Sequence, residues 1–464
     1  LLLKFGVFFF DYDLDGDLDM YLSYFKRASV VITGRLHGAL PALAYGKRVF
    51  YFSNHFIDSS TPGYTIERLD SSLELYQIKL YVEDAPAIYF SPPTAKHLNN
   101  LQLSITKFII EFATLSSISI VQHAYWYPLA LRLPNSLRVY DCMDHHEGFG
   151  NVSKELIELE KEMMCKFDQI IVSSGWLEKQ IQQYNNVVII RNASEYERFS
   201  KQPSEIYSDP QKRKIIGYYG AIAEWFDLEL VQNLALAEPH ALIILIGSDT
   251  INASHILRKI PNIIFSGEVP YDRLPFYLHA FDVCLLPFKI TPLTLATNPV
   301  KIYEYLASGK PVVSVDLPEI AQFDNLVQRA KTSDEFVTLV STCLKSSSHE
   351  TNRIESRKQF ASKQTWSHRV TELVQAIQQI PLPKVSVIVL TYNNLNFTKL
   401  CLNSLLHWSD YPNLEIIIVD NNSSDDTPEY LAELNARYPT IQVIQNKTNE
   451  GFAKGNNIGL IAAT

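Results

Sequence analysis

Lys301 and Glu304 carry the clearest chemistry in this chain. They lie in Asn298-Pro299-Val300-Lys301-Ile302-Tyr303-Glu304-Tyr305-Leu306-Ala307-Ser308-Gly309-Lys310-Pro311-Val312-Val313. Pro299 suits the first turn of a helix, Gly309 its stop and Pro311 the opening of the next strand. Three residues apart, the cation and the acid share one helix face near its start. A cation beside helix N-terminal amides suits a diphosphate, and a carboxylate suits ribose hydroxyls. A surface ion pair at the same spacing is the competing reading.

Asp11, Asp13, Asp15, Asp17 and Asp19 alternate through the segment that follows Phe10, with Gly16 at the sixth place. That spacing lets a hard cation collect oxygen ligands around a sharp turn, with Ca2+ as the expected ion. Leu22 stands where an EF-hand would place its bidentate Glu. The run resembles the calcium loop of FG-GAP repeats; a solvated acidic turn is the alternative. Further on, Ser29 to Val49 reads as strand, turn, small-residue helix and Gly46 stop. Arg35 and His37, at the strand end facing a helix start, suit a phosphate or carboxylate. This stretch resembles the Arg-Leu-His-Gly signature of polysaccharide pyruvyl transferases.

These residues need a scaffold, and the rest of the chain describes one. It has 464 residues, 47% of them hydrophobic, which suits about three domains with real cores. The net charge of −9 argues against a nucleic-acid partner. Cys142, Cys165, Cys284, Cys343 and Cys401 are far apart and form no C-x-x-C pair, which points to a reducing, cytoplasmic setting. No apolar run is long enough for a membrane helix.

Short β-branched runs alternate with amphipathic stretches, the pattern of parallel sheets covered by helices. Strands are expected at 48–52, 118–122, 137–140, 169–172 and 187–190, then at 214–219, 241–246, 263–266, 283–286 and 311–315. The polar stretch 201–213 reads as a linker between two doubly wound domains. Residues 322–380 read as largely helical, and the Pro-Leu-Pro at 381–383 as a stiff spacer. A third α/β unit opens with strand 384–390, helix 398–406 and strand 414–420. At about 80 residues it is expected to be truncated, and the chain, which does not start with Met, to be a fragment.

The Asn298–Val313 stretch resembles family 4 glycosyltransferases of the GT-B fold. Further segments agree in order: Ile215-Ile216-Gly217-Tyr218-Tyr219-Gly220, Leu242–Gly247, Asn262–Gly267 and Phe281–Phe288 in the second domain, and Tyr140–Asp144, Ile171–Ser174 and Arg191-Asn192 in the first. Trp366 falls in the helix that this family sends back across the hinge. The resemblance implies an α/β fold of two Rossmann-like domains that transfers a glycosyl unit from a nucleotide-sugar to a glycan or lipid-linked acceptor, without a metal and usually with retention. It places Gly220 at the phosphate turn, makes Glu304 the second Glu of an E-x7-E motif, and assigns Asn298, Lys301, Glu304 and Gly220 to the donor. His123 falls where the family orients the sugar; a core histidine at a strand end is the alternative. Two positions depart from the pattern. Ala296 replaces the first Glu, and Ala223-Glu224-Trp225 replaces the usual basic residues, so Lys301 is the expected substitute cation.

Val385–Asn394, Ile416–Asp425 and Asn449–Asn456 resemble the start of a family 2 glycosyltransferase of the GT-A fold. That likeness gives Thr391, Tyr392 and Asp420 to the donor base and ribose, implies a divalent metal in a complete unit, and leaves the unit as given inactive alone. The expected boundaries are 1–27 for the acidic segment, 28–200 and 201–378 for the two GT-B domains, and 379–464 for the GT-A-like unit. The combined expectation is a glycosyltransferase of bacterial surface polysaccharide synthesis, cytoplasmic and peripheral to the inner membrane face. A catalytically inactive nucleotide-sugar-binding scaffold is the alternative, and a calcium-dependent adhesion protein a third reading.

Overall fold

A computed structural model describes residues 5–10, 30–33, 49–52, 56–68, 75–84, 88, 90–111, 116–133, 136–150, 152–184, 187–345, 350–381, 384–408, 413–438 and 441–464. The acidic positions Asp11 to Asp19, and Arg35 and His37, lie outside these residues. The chain divides into two compact units, Leu1–Gln378 and Gln379–Thr464.

The first unit holds two sheets. One contains β1 (Phe5–Phe10), β2 (Val30–Thr33), β3 (Val49–Phe52), β4 (Tyr64–Arg68), β5 (Leu75–Leu80), β6 (Ser116–Val121), β7 (Ser136–Cys142), β8 (Gln169–Val172) and β9 (Val187–Ile189). Their order is β4-β5-β3-β2-β1-β6-β7-β8-β9. All pairings are parallel except β4 with β5. The order reverses between β1 and β6, which makes that pair the switch point, where a doubly wound sheet opens a crevice beyond its strand ends. β1 therefore lies at the middle of the first sheet, although it falls inside the 1–27 segment expected to stand apart. An apolar six-residue run, Phe-Gly-Val-Phe-Phe-Phe, suits such a central parallel strand.

The second sheet comprises β10 (Ile215–Tyr219), β11 (Leu242–Ile246), β12 (Ile263–Gly267), β13 (Val283–Leu286), β14 (Val312–Val315) and β15 (Val327–Ala330), ordered β12-β11-β10-β13-β14-β15 and parallel throughout. Every residue of β10, β11, β13 and β14 is buried, as expected for strands with helices on both faces. The order is that of the classical dinucleotide-binding sheet, with its switch point between β10 and β13. β15 interrupts the region expected to be largely helical; its pattern of two buried ends around an exposed Arg329 marks an edge strand, too short to show a period.

The second unit has β16 (Val385–Thr391), β17 (Leu414–Asp420) and β18 (Ile441–Gln445), parallel and in that order, with helices Leu395–Trp408, Thr427–Arg437 and Gly451–Ala462. Gly455 and Gly459 let the last helix lie close on the sheet: a Cβ on them would stand 2.5 Å from Leu390 and 2.4 Å from Ile388.

Candidate functional site

The site of the first unit gathers where β10 and β13 end. β10 runs into Gly220, whose φ of 130° is open to glycine alone among common residues. Gly247, at the end of β11, has φ 137° and packs against the Gly220 carbonyl, where any Cβ would stand 2.1 Å from the oxygen. Two chain turns thus meet backbone to backbone. The helix Val300–Ala307 points its start at this place, and Pro299 at its N-cap offers no side-chain hydrogen bond to the first-turn amides.

Lys301 reaches the glycine turn. A Cβ on Gly220 would lie 2.8 Å from its Cε and 3.1 Å from its Nζ. The ammonium stands 5.2 Å from the centre of the Phe288 ring and 5.6 Å from that of Tyr218. Burial pulls its pKa down to about 8, only partly opposed by the charge of Glu304. Among the described residues no carboxylate lies within ion-pair distance of Lys301. A cation held by aromatic faces rather than an acid is available to an anion.

Glu304, 3% exposed, accepts a hydrogen bond from Tyr219 Oη at 2.8 Å and one from Tyr271 Oη at 3.0 Å. The tyrosine pair fixes the carboxylate one residue before Gly220 in the chain and one helical turn from Lys301. Spacing could not have revealed these partners, since Tyr219 is 85 positions away.

Asn298, expected at the donor, joins the two sheets. It is 2% exposed; its Oδ1 accepts from the Asn192 amide at 2.9 Å, its carbonyl from Asn192 Nδ2 at 2.6 Å, and its Nδ2 donates to Glu319 Oε2 at 2.9 Å. Glu319 also accepts from Arg191 Nε and from the Gly175 amide, each at 2.8 Å. Glu319→Ala leaves these donors unpaired, and we expect it to cost about 3 kcal/mol by urea unfolding, against about 1 kcal/mol for Glu319→Gln.

His123 follows β6 at the switch point of the first sheet and is 5% exposed. Its Nδ1 accepts the Tyr125 amide at 3.3 Å and so caps a short turn. The structure brings Gly220, Lys301 and Glu304 together at the second sheet and sets His123 at the end of a strand of the first.

In the second unit Thr391 and Asp420 end neighbouring strands, paired in register. Thr391 Oγ1 lies 2.6 Å from Thr398 Oγ1, and Asp420 Oδ1 accepts the Ser423 amide at 3.2 Å; both residues are buried, whereas Tyr392 is 45% exposed. Among the described residues no group of three or more His, Cys, Asp or Glu is arranged to hold a metal ion.

This geometry can be compared with known proteins. The first unit is similar to Anabaena HepE, solved in complex with UDP and glucose, at a TM-score of 0.54 and 14% identity, over 82% of this chain and 100% of that chain. The unit has the GT-B fold. Within the GT-B unit, residues 213–346 match the family described as glycosyl transferases group 1, and residues 7–55 match polysaccharide pyruvyl transferase. The second unit matches glycosyl transferase family 2 over residues 386–464. Among curated relatives, the chain is similar to the teichuronic acid biosynthesis glycosyltransferase TuaH of Bacillus subtilis, 26% identical over 253 residues, 49% of this chain and 64% of that protein. An uncharacterized glycosyltransferase of Haemophilus influenzae is 40% identical over 78 residues, 17% of this chain and 24% of that protein. The chain thus spans less than two thirds of the length of either relative.

Proposed function

We propose that the GT-B unit transfers a glycosyl group from a nucleotide-sugar to a glycan or lipid-linked acceptor in bacterial surface polysaccharide synthesis. The observation that carries this reading is the ammonium of Lys301 set against the Gly220 turn beside an uncapped helix start. There the departing diphosphate would meet backbone amides and one cation in a site poor in competing acids. Glu304, fixed by Tyr219 and Tyr271, would receive the ribose hydroxyls, and His123 would approach the sugar from the facing sheet. The name of the Bacillus subtilis relative supports a surface-glycan product. No helix among the described residues is long and apolar enough to cross a membrane; we place the enzyme in the cytoplasm at the inner membrane face. In this reading the donor step of this unit needs no metal, Asp11 to Asp19 supply carboxylates for Ca2+, and Thr391, Tyr392 and Asp420 begin a second, metal-assisted donor site.

Ala296 and Ala223-Glu224-Trp225, which lack the first acid and the basic residues of the resembled pattern, favour a second reading: a module that binds the donor without turning it over. Release of nucleoside diphosphate from a panel of UDP- and GDP-sugars, with calorimetric binding of the same donors, decides between them. Turnover lost in Glu304→Gln supports the enzyme. Binding with no turnover by any donor supports the module, and neither binding nor turnover removes both.

A further inference from the structure

A cavity of about 420 Å³ lies at the opposite end of the second sheet from the Gly220 turn. Lys214, Asp282 and Lys310, which lead into β10, β13 and β14, form part of its wall. β10 is five residues long, which sets this place about 16 Å from the glycine turn. The helix Glu350–Ser362 closes one side. It lies so near Gly309 that a Cβ there would stand 2.7 Å from Ile354 Cγ2 and 3.3 Å from Lys358 Cε, and Lys358 is thereby brought beside Lys310. His279, which follows the helix Leu274–Leu278, adds to the wall. The volume suits a small organic ligand.

Three ammonium groups line this cavity against one carboxylate, in a chain whose net charge is −9. The carboxylate is already committed: Asp282 accepts from Lys214 Nζ and from the Ile215 amide, each at 2.8 Å. Lys310 Nζ donates one of its three protons to the His279 carbonyl at 2.7 Å. Among the described residues no carboxylate lies within ion-pair distance of Lys310 or Lys358. Burial first pulls Lys310 below its ordinary value; Cys284 and Asp282 oppose, and Lys214 and Lys358 add to the fall. Burial also lowers His279, against the Phe199 carbonyl 3.0 Å from its Nε2, and both Lys310 and Lys358 push the same way. The imidazole is therefore neutral at pH 7, and the ammonium groups carry the charge. Capping the last carbonyl of a helix accounts for Lys310 but gives no reason for a second cation beside it. A dianion between the two removes their repulsion and accepts their remaining protons. We propose that this cavity binds the phosphate of a phosphomonoester, held between Lys310 and Lys358 with Lys214 at the rim.

This site is independent of the transfer reading, and its test needs no turnover. The full chain carrying Lys301→Met is used, so that any phosphate held at the Gly220 turn does not enter the signal. Glycerol 3-phosphate is titrated in by calorimetry. In a parallel arm, phosphatidylcholine vesicles containing phosphatidic acid present the same phosphomonoester on a lipid, and co-sedimentation is read against phosphatidylcholine alone. One of the two probes is expected to bind, and Lys310→Gln and Lys358→Gln are each expected to weaken that binding about tenfold or more, the loss of one charge-assisted contact. Glutamine keeps a donor for the His279 carbonyl, and Lys358 has no carboxylate partner to leave stranded, so Lys358→Gln carries the test even where Lys310→Gln melts early. Binding of the free ester, lost in these variants, supports the proposal and assigns a small phosphorylated molecule. Binding of the vesicles alone, lost in the same variants, supports it and assigns a lipid headgroup. Binding of neither probe overturns the proposal, and so does an affinity that both substitutions leave unchanged.

Discussion

Lys301→Met is expected to weaken donor binding while making the unliganded protein more stable, a combination that a purely structural lysine would not give. Loss of one charge-assisted contact to a diphosphate corresponds to about 1.5–3 kcal/mol, or roughly a 10- to 150-fold weaker Kd by calorimetry. The stability effect has the opposite sign because burial holds the ammonium at about 8, below its ordinary value. A lysine depressed in the folded state disfavours folding fully below pH 8, and the penalty fades as pH rises from there towards the ordinary value. Methionine fills the same space against Tyr218 and Phe288 without the charge. At pH 7 the variant should melt a few degrees higher, and the gain should vanish near pH 10. Wild-type donor affinity should itself fall as pH passes through 8, less steeply once bound phosphate has favoured the charged form. A lower melting temperature with unchanged affinity would show that Lys301 only packs.

The second large effect lies in the backbone contact beneath that lysine. Gly247→Ala would drive a methyl group to within 2.1 Å of the Gly220 carbonyl oxygen, at a φ of 137°. Neither neighbour is a side chain that can swing aside, so the Gly220 turn beside Lys301 must itself move. We expect a loss of roughly 3–5 kcal/mol by urea unfolding, combining overpacking with left-handed strain, and donor binding too weak to measure. Gly267→Ala is the matched control: its φ is 69°, but nothing lies within 4 Å of the added carbon, so the cost should be only about 1 kcal/mol. Equal losses at the two positions would mean that conformation alone, and not the approach of the two turns, sets the need for glycine.

Much of this architecture could be read from local pattern. β8, β13 and β17 fall where the apolar runs place them, and β10 to β14 follow in the expected order because short buried runs between glycine and proline punctuation are hard to mistake. The strands that escaped are those with weak or disguised signals. Phe5–Phe10 sits next to an acidic run that drew the eye to ion chemistry, and Tyr64–Arg68 is a half-exposed antiparallel edge with three exposed residues at its end. The pairing of Lys301 with the Gly220 turn was legible because helix and turn signatures are each local. The tyrosine grip on Glu304 was not, since it joins residues from different elements at separations that carry no period. Asn298 is a different case. Its place before the helix marks it as a donor position, and its side chain and carbonyl also bond to Asn192, Tyr303 and Glu319.

The central place of β1 bears on how the first sheet comes together. Both of its ladders run through a strand made before either neighbour, so β2 and β6 do not pair with each other and must each dock on the same six residues. Once those residues are seated, seven parallel partners can zip outward in two directions. Until then the growing chain presents two bare hydrogen-bonding margins, and any version of it that starts beyond Phe10 would keep both for good, as invitations to neighbouring chains.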